Sequence, residues 1–254
     1  MLARFAALVL LCGVALQLYF LLRISMMIVI DPKSTTFQRS EICRLLIERQ
    51  SVAWSRQWRP YAQIGAPLKR AVIASEDARF ADHSGVEWDA IESAWERNQR
   101  ALARAEKLDA QAQRRAAKAG AEGRPPPLPA KIKVVGGSTI SQQLAKNLFL
   151  SGERSFLRKG QEAVITLMLE NLLGKQRILE VYLNNVEWGE GVFGAQAAAR
   201  HYFHVDADRL GNLQAARLAV MLPAPKRFEK RAASPYVLDR AGTIAARMGD
   251  AELP

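Results

Sequence analysis

The chain has 254 residues, enough for one domain of moderate size with appendages and a real buried core. A formal charge of +11 and a pI near 10.0 point to anionic partners: nucleic acid, phosphate-bearing substrates or an acidic membrane surface. Two isolated cysteines, Cys12 and Cys43, support neither a disulfide framework nor a zinc site.

From Phe5 to Leu22 the chain carries no charge, Arg23 interrupts, and Ile24 to Ile30 is apolar again, which approaches the ~20 apolar residues that cross a bilayer. No convincing A-x-A site follows an apolar core of the ~7–15 residues usual in a signal peptide. The pattern predicts a retained single-pass anchor over residues 1–30. Residues 31–59 are mixed, with Ile42, Leu45, Leu46 and Ile47 hinting at a short helix, and read as a stalk. A single domain is expected over 60–235, with a C-terminal tail over 236–254.

Pro67 is placed to open a helix running from Leu68 to about Ala78. Its end is the stretch "AVIASEDARFADHSG", residues 71–85, in which small apolar residues lead directly into Glu76 and Asp77. Two readings are open here: a helix end becoming solvated, or a carboxylate held in a dry wall to move protons. Residues from about Glu96 to Lys133 then shift to Ala, Arg, Lys and Gln and end near "GRPPPLP"; ten Lys or Arg against four Asp or Glu supply about half the net charge. With few large apolar residues, this segment reads as a mobile, partly helical excursion. A basic arm for nucleic acid is disfavoured by the membrane anchor.

From Gly136 onward, helical periodicity dominates and strand-like alternation is scarce, so the class is mainly α. In "GGSTISQQLAKN", Thr139, Gln142, Gln143 and Lys146 share one face while Ile140, Leu144 and Leu148 share the other. The polar face holds no acid, unlike a usual solvated face, and the glycines would let a ligand approach the free N–H groups at the helix start. In "RSFLRKGQE", Arg158 and Lys159 precede Glu162 by four and three residues, and Arg154 lies a turn further back. An apolar stripe starts just after Glu162, so a second carboxylate sits at a core boundary beside cations. Two carboxylates in a cationic cleft suit glycosyl transfer with a phosphate leaving group: a tuned carboxylate takes a sugar hydroxyl's proton, and cations stabilise the departing charge. "GEGVFG" matches a dinucleotide-loop pattern but follows a helical segment, and His201 and His204 lack partners for a zinc set.

"EDARFADHSG", "GGSTISQQLAKN", "RKGQE", "KQRILEVYLNNVEWGEGVFGAQAAARHYF" and "LPAPKRF", in that order, resemble the glycosyltransferase family 51 domains of peptidoglycan synthesis, over about residues 60–230. The resemblance implies a lysozyme-like, two-lobed fold on a plasma-membrane anchor, in a monofunctional enzyme that polymerises lipid II with inversion into β-1,4 glycan and releases undecaprenyl pyrophosphate. It implies Glu76 as general base and Glu162 as second acidic residue, near the donor pyrophosphate or a bound Mg2+ or Mn2+ ion, with no organic cofactor. Lys146, Arg154, Arg158 and Lys159 match basic donor positions; Ser138, Thr139, Gln142, Gln143 and Asn147 match the polar face; Asp77, Phe80, His83 and Gly85 complete the first motif. The implied partners are lipid II, the growing glycan chain, membrane lipids, and a transpeptidase or other protein of the division or elongation machinery, since no serine has a lysine three residues later. The chain departs from the family pattern in its long 96–133 connection and at Ser141, His204 and Gln214. A lysozyme-like hydrolase would have no use for the cations, and an inactive membrane-tethered binding module would leave the boundary acids without purpose.

Overall fold

The computed structural model describes residues 1–50, 52–118, 137–153 and 155–254. Among them the chain runs α1 (Leu2–Met26), α2 (Thr36–Arg49), β1 (Ser55–Arg56), α3 (Ala66–Glu76), α4 (Trp88–Lys118), α5 (Ile140–Phe149), α6 (Phe156–Leu172) and α7 (Lys175–Asn185). It continues with β2 (Glu187–Gly189), β3 (Val192–Phe193), α8 (Ala195–Phe203), α9 (Asn212–Met221), α10 (Pro225–Phe228) and α11 (Pro235–Arg247). The protein is mainly α. It divides into two units, Met1–Val86 with Thr139–Pro254, and Glu87–Ser138.

The second unit is dominated by α4, 31 residues rich in strong helix formers. Residues 96–118 of the expected excursion are therefore continuous helix, with a Glu96–Arg100 pair at 2.9 Å one turn apart. Residues 119–136 lie outside the described ones.

In the first unit, the 25 residues of α1 extend about 37 Å, long and apolar enough to cross a membrane. Most of α1 is exposed, but Phe20 and Ile24 are buried, and Phe20 meets Phe149 edge-on at 5.3 Å. Gln17 and Gln161 exchange side-chain hydrogen bonds of 2.8 and 3.0 Å, so the polar group within this apolar helix is satisfied by α6. Below the helix end, Arg177 donates to the Met27 carbonyl at 2.9 Å and pairs with Asp31 at 2.7 Å. The stalk contains α2, capped by Thr35 and Gln38, and Gln38 Nε2 reaches the Asn185 carbonyl at 3.2 Å.

The core lies where α3 crosses α9 and where α5 packs on α6 and α7. Leu68, Val72, Ile73, Ile140, Leu144, Ile165, Leu169 and Trp188 fill it, and Trp188 Nε1 donates to the Leu218 carbonyl at 3.1 Å. Residues 236–254 are part of this packing, because α11 covers α9 and α3 with buried Val237, Ala241 and Ile244.

The three short strands have order β1-β3-β2, with β1 parallel to β3 (Ser55↔Val192, Arg56↔Phe193) and β2 antiparallel to it. "GEGVFG" thus forms a hairpin and not a strand-to-helix phosphate loop. Gly191 has φ +75°, and a Cβ there would stand 1.9 Å from the Ala53 carbonyl oxygen, so the hairpin tip can pass β1 only as glycine.

Candidate active site

Glu76 is the last residue of α3 and is half-buried. Leu68, Val72 and Ile73 bury the helix's apolar face, which carries its final carboxylate to the core edge. Gln143 Nε2 donates to Glu76 Oε2 at 2.9 Å, and the fully buried Tyr182 hydroxyl donates to Gln143 Oε1 at 3.0 Å. Tyr182 therefore sets which end of the amide faces the acid. Burial pushes the Glu76 carboxyl above its ordinary range; the Gln143 hydrogen bond opposes this and neighbouring Asp77 adds to it.

Asp77 turns the other way and is buried. Its Oδ1 meets His83 Nε2 at 2.8 Å, and its Oδ2 accepts the backbone N–H of Ile140 at 3.0 Å. The Gly85 N–H donates to His83 Nδ1 at 3.0 Å, so the ring proton sits on Nε2 and points at Asp77. Thr139 Oγ1 donates to the Gly85 carbonyl at 2.6 Å. Gly85 has φ +89°, and a Cβ on it would come within 2.7 Å of Thr166 Cγ2.

These contacts correct part of the expected ligand face. At the start of α5 two N–H groups are already taken: Asp77 accepts that of Ile140, and Thr139 Oγ1 accepts that of Gln142 at 3.2 Å. Thr139 and Gln142 are buried and form a reciprocal capping box, with the Thr139 N–H donating to Gln142 Oε1 at 3.3 Å. Phe80 is fully buried, with the Lys175 ammonium 4.5 Å from its ring centre. Asp77, His83, Gly85, Thr139 and Gln142 are thus linked by hydrogen bonds to one another or to the start of α5, and Phe80 packs beside His83 with Lys175 over its ring. Ser138 is the exposed last residue of the second unit. Arg154 lies outside the described residues.

Gln143, Lys146 and Asn147 continue along α5 into a cavity of about 450 Å³. Arg158 and Glu187 also line it, with Phe37, Val186, Leu222, Pro223 and Pro225 as apolar wall and exposed Glu153 at one side. Ser155 caps α6, which sets Arg158 and Lys159 one turn before Glu162. The Glu162 carboxylate is buried; Arg158 Nη1 reaches Oε2 at 2.8 Å, and the Lys159 ammonium meets Oε1. Arg158 Nε is buried without a hydrogen-bond partner among the described residues. Desolvation pulls the Lys146 ammonium below its ordinary range; Glu162 opposes this, while Arg158 and Lys159 reinforce it. Three cations against one carboxylate leave the group with a net positive charge suited to an anionic ligand.

The surroundings of Glu162 do not fit a divalent cation, since both its oxygens are engaged by Arg158 and Lys159.

Three departures from the expected motif have local explanations. Buried Ser141 donates to Glu170 Oε1 at 2.5 Å, beside the Lys175–Glu170 pair at 2.9 Å. His204 ends α8 with φ 57° and ψ 30°, a left-handed position that favours glycine. Gln214 Oε1 accepts the Gly211 N–H at 3.0 Å, the cap that a glutamate would also supply. Sequence reasoning assigned no role to Tyr182 or Glu187; a lone acid in the otherwise apolar "VEWG" was the available signal for the latter.

A family model described as transglycosylase matches residues 44–107 and 108–249. The chain is 52% identical over 240 residues to a biosynthetic peptidoglycan transglycosylase of Burkholderia pseudomallei (strain K96243), covering 94% of this chain and 82% of that one. It is 47% identical over 249 residues to the protein of the same name from Paraburkholderia xenovorans (strain LB400), covering 98% and 91%.

Proposed function

The chain belongs to the transglycosylase family, and from that premise we propose that the cavity beside Glu76 is where it joins the disaccharide units of lipid II into the glycan strands of peptidoglycan. The observation that carries this reading is the position of Gln143, which hydrogen-bonds Glu76 at 2.9 Å and lines the same cavity as Lys146 and Arg158. One residue thereby couples a tuned carboxylate to a cationic pocket.

In this mechanism the Glu76 carboxylate takes the proton of the acceptor sugar hydroxyl. That oxygen forms the new bond to the donor C1 as the bond from C1 to the diphosphate oxygen breaks, with inversion. The lipid diphosphate leaves carrying the electron pair, and Lys146 and Arg158 stabilise its charge. Glu162 acts by holding Arg158 and Lys159 in place. Glu76 ends the step protonated and returns its proton to solvent.

The same reading puts α1 in the plasma membrane and the first unit on its outer face, with membrane lipids around the anchor and a separate transpeptidase to cross-link the product. The test uses detergent-purified protein and labelled lipid II. Wild type yields polymer that lysozyme digests, and Lys146→Ala and Arg158→Ala each slow it about 100-fold. Wild-type rates in both variants would remove the cavity from the reaction.

A further inference from the structure

Glu187 opens β2 directly after α7, between buried Val186 and Trp188. It is 6% exposed, and its Oε1 has no hydrogen-bond partner among the described residues. A cation is near but otherwise engaged: Lys226 Nζ of α10 stands 3.6 Å from Oε1 and binds Glu41 of α2. Glu41 is also held by Arg44 at 2.9 Å. A buried acceptor whose only partner is an ion pair at 3.6 Å is incompletely satisfied, and such groups are rare in folded proteins unless something completes them. The cavity supplies the place for that partner, because Glu187 forms part of the wall that Gln143, Lys146 and Arg158 also line.

We propose that Glu187 is a substrate-binding residue whose Oε1 accepts a hydrogen bond from an uncharged N–H or O–H group on the sugar of the substrate. The inference rests on the cavity being the substrate site. Charge decides which part of the substrate reaches it. The Glu187 carboxyl, an acceptor 3.6 Å from Lys226, offers the diphosphate no donor, whereas Lys146 and Arg158 attract it. The acetamido N–H and the hydroxyls of the sugar remain, and each can donate to a carboxylate oxygen in a charge-assisted hydrogen bond. Glu187 thus orients the sugar ring while the cations hold the diphosphate.

The test compares Glu187→Leu, which removes the acceptor and keeps the bulk, with Glu187→Gln, which keeps one carbonyl oxygen. Steady-state polymerisation of lipid II is measured on the full chain in detergent, with Lys146→Ala alongside. Loss of a hydrogen bond to a charged group predicts that Glu187→Leu raises KM about tenfold or more. Its kcat changes far less, and Glu187→Gln falls between Glu187→Leu and wild type. An unchanged KM in Glu187→Leu, with Lys146→Ala slowed about 100-fold, overturns the role of Glu187 and leaves the cavity assignment standing. Wild-type kinetics in both variants overturn the cavity assignment and this inference with it. A fall in kcat with KM unmoved in Glu187→Leu also overturns it. Where Glu187→Leu does not fold, equal KM values for Glu187→Gln and wild type do so.

Discussion

Asp77 Oδ2 accepts the backbone N–H of Ile140 at 3.0 Å, and this bond joins the end of α3 to the start of α5. Glu76 precedes Asp77 on one side, and Gln143 lies one turn into α5 on the other. The bond therefore sets the separation between the candidate base and the amide that holds it. An anion at a helix N-terminus is favourable, and here the protein supplies that anion itself.

Asp77→Ala leaves both the Ile140 N–H and the His83 Nε2–H buried without their acceptor. The expected loss of stability is ~2–4 kcal/mol, with polymerisation at least about tenfold slower because Glu76 and Gln143 lose their register. Denaturant unfolding and lipid II turnover check the two effects.

Tyr182→Phe removes the donor that fixes the Gln143 amide. Gln143 can then turn its oxygen towards Glu76, where it repels the carboxylate. A drop in kcat of roughly three- to tenfold is expected, with about 1 kcal/mol of stability lost. Unchanged kcat would show that the amide is oriented by something else.

The parts of this structure that depend on local period were legible in the sequence. The long apolar helix α1, the arrival of Glu76 at the end of α3, the apolar triplet Ile140, Leu144 and Leu148, and the Arg158/Lys159/Glu162 spacing each follow from neighbours within one or two turns. Thr139 and Gln142 show the limit of that reasoning. The spacing that puts them on one face with Gln143 and Lys146 also makes a capping box, and only the packed structure shows that the cap won. Phe80 turns inward for a similarly non-local reason, since tertiary packing brings Lys175 over its ring, while His83 meets Asp77 six residues away through turn geometry that periodicity does not describe. Tyr182 and Glu187 were missed because their significance lies in groups 39 residues away in sequence for one and in a cavity wall for the other.

His204 holds a left-handed backbone with φ 57° at the end of α8. Glycine adopts this conformation without a Cβ clash, so His204→Gly should raise stability by about 0.5–1 kcal/mol with activity unchanged. Thermal unfolding of the two proteins measures it.

Glu187 gives a pH-dependent stability effect of defined sign. Burial pushes its carboxyl up to about 7, while Lys226 opposes the shift and Glu41 adds to it. A folded value above the ordinary one means that the folded state holds the proton more tightly. The stability this contributes is present below the ordinary carboxylate value and lost as pH rises through about 7. Glu187→Gln cannot ionise, so it should be more stable than wild type by ~1–3 kcal/mol at about pH 8, and nearly equal to it at about pH 4.5. Denaturant unfolding at both pH values checks this, and a constant difference would contradict it.

The central claim is that Glu76 is the base of glycan polymerisation. The most direct measurement is the rate at which folded Glu76→Gln converts labelled lipid II into lysozyme-sensitive polymer, with lipid II binding followed in parallel. The account predicts a loss of at least about 1000-fold in rate, with binding and thermal unfolding close to wild type. Polymer formation by that variant at a rate near wild type would contradict it.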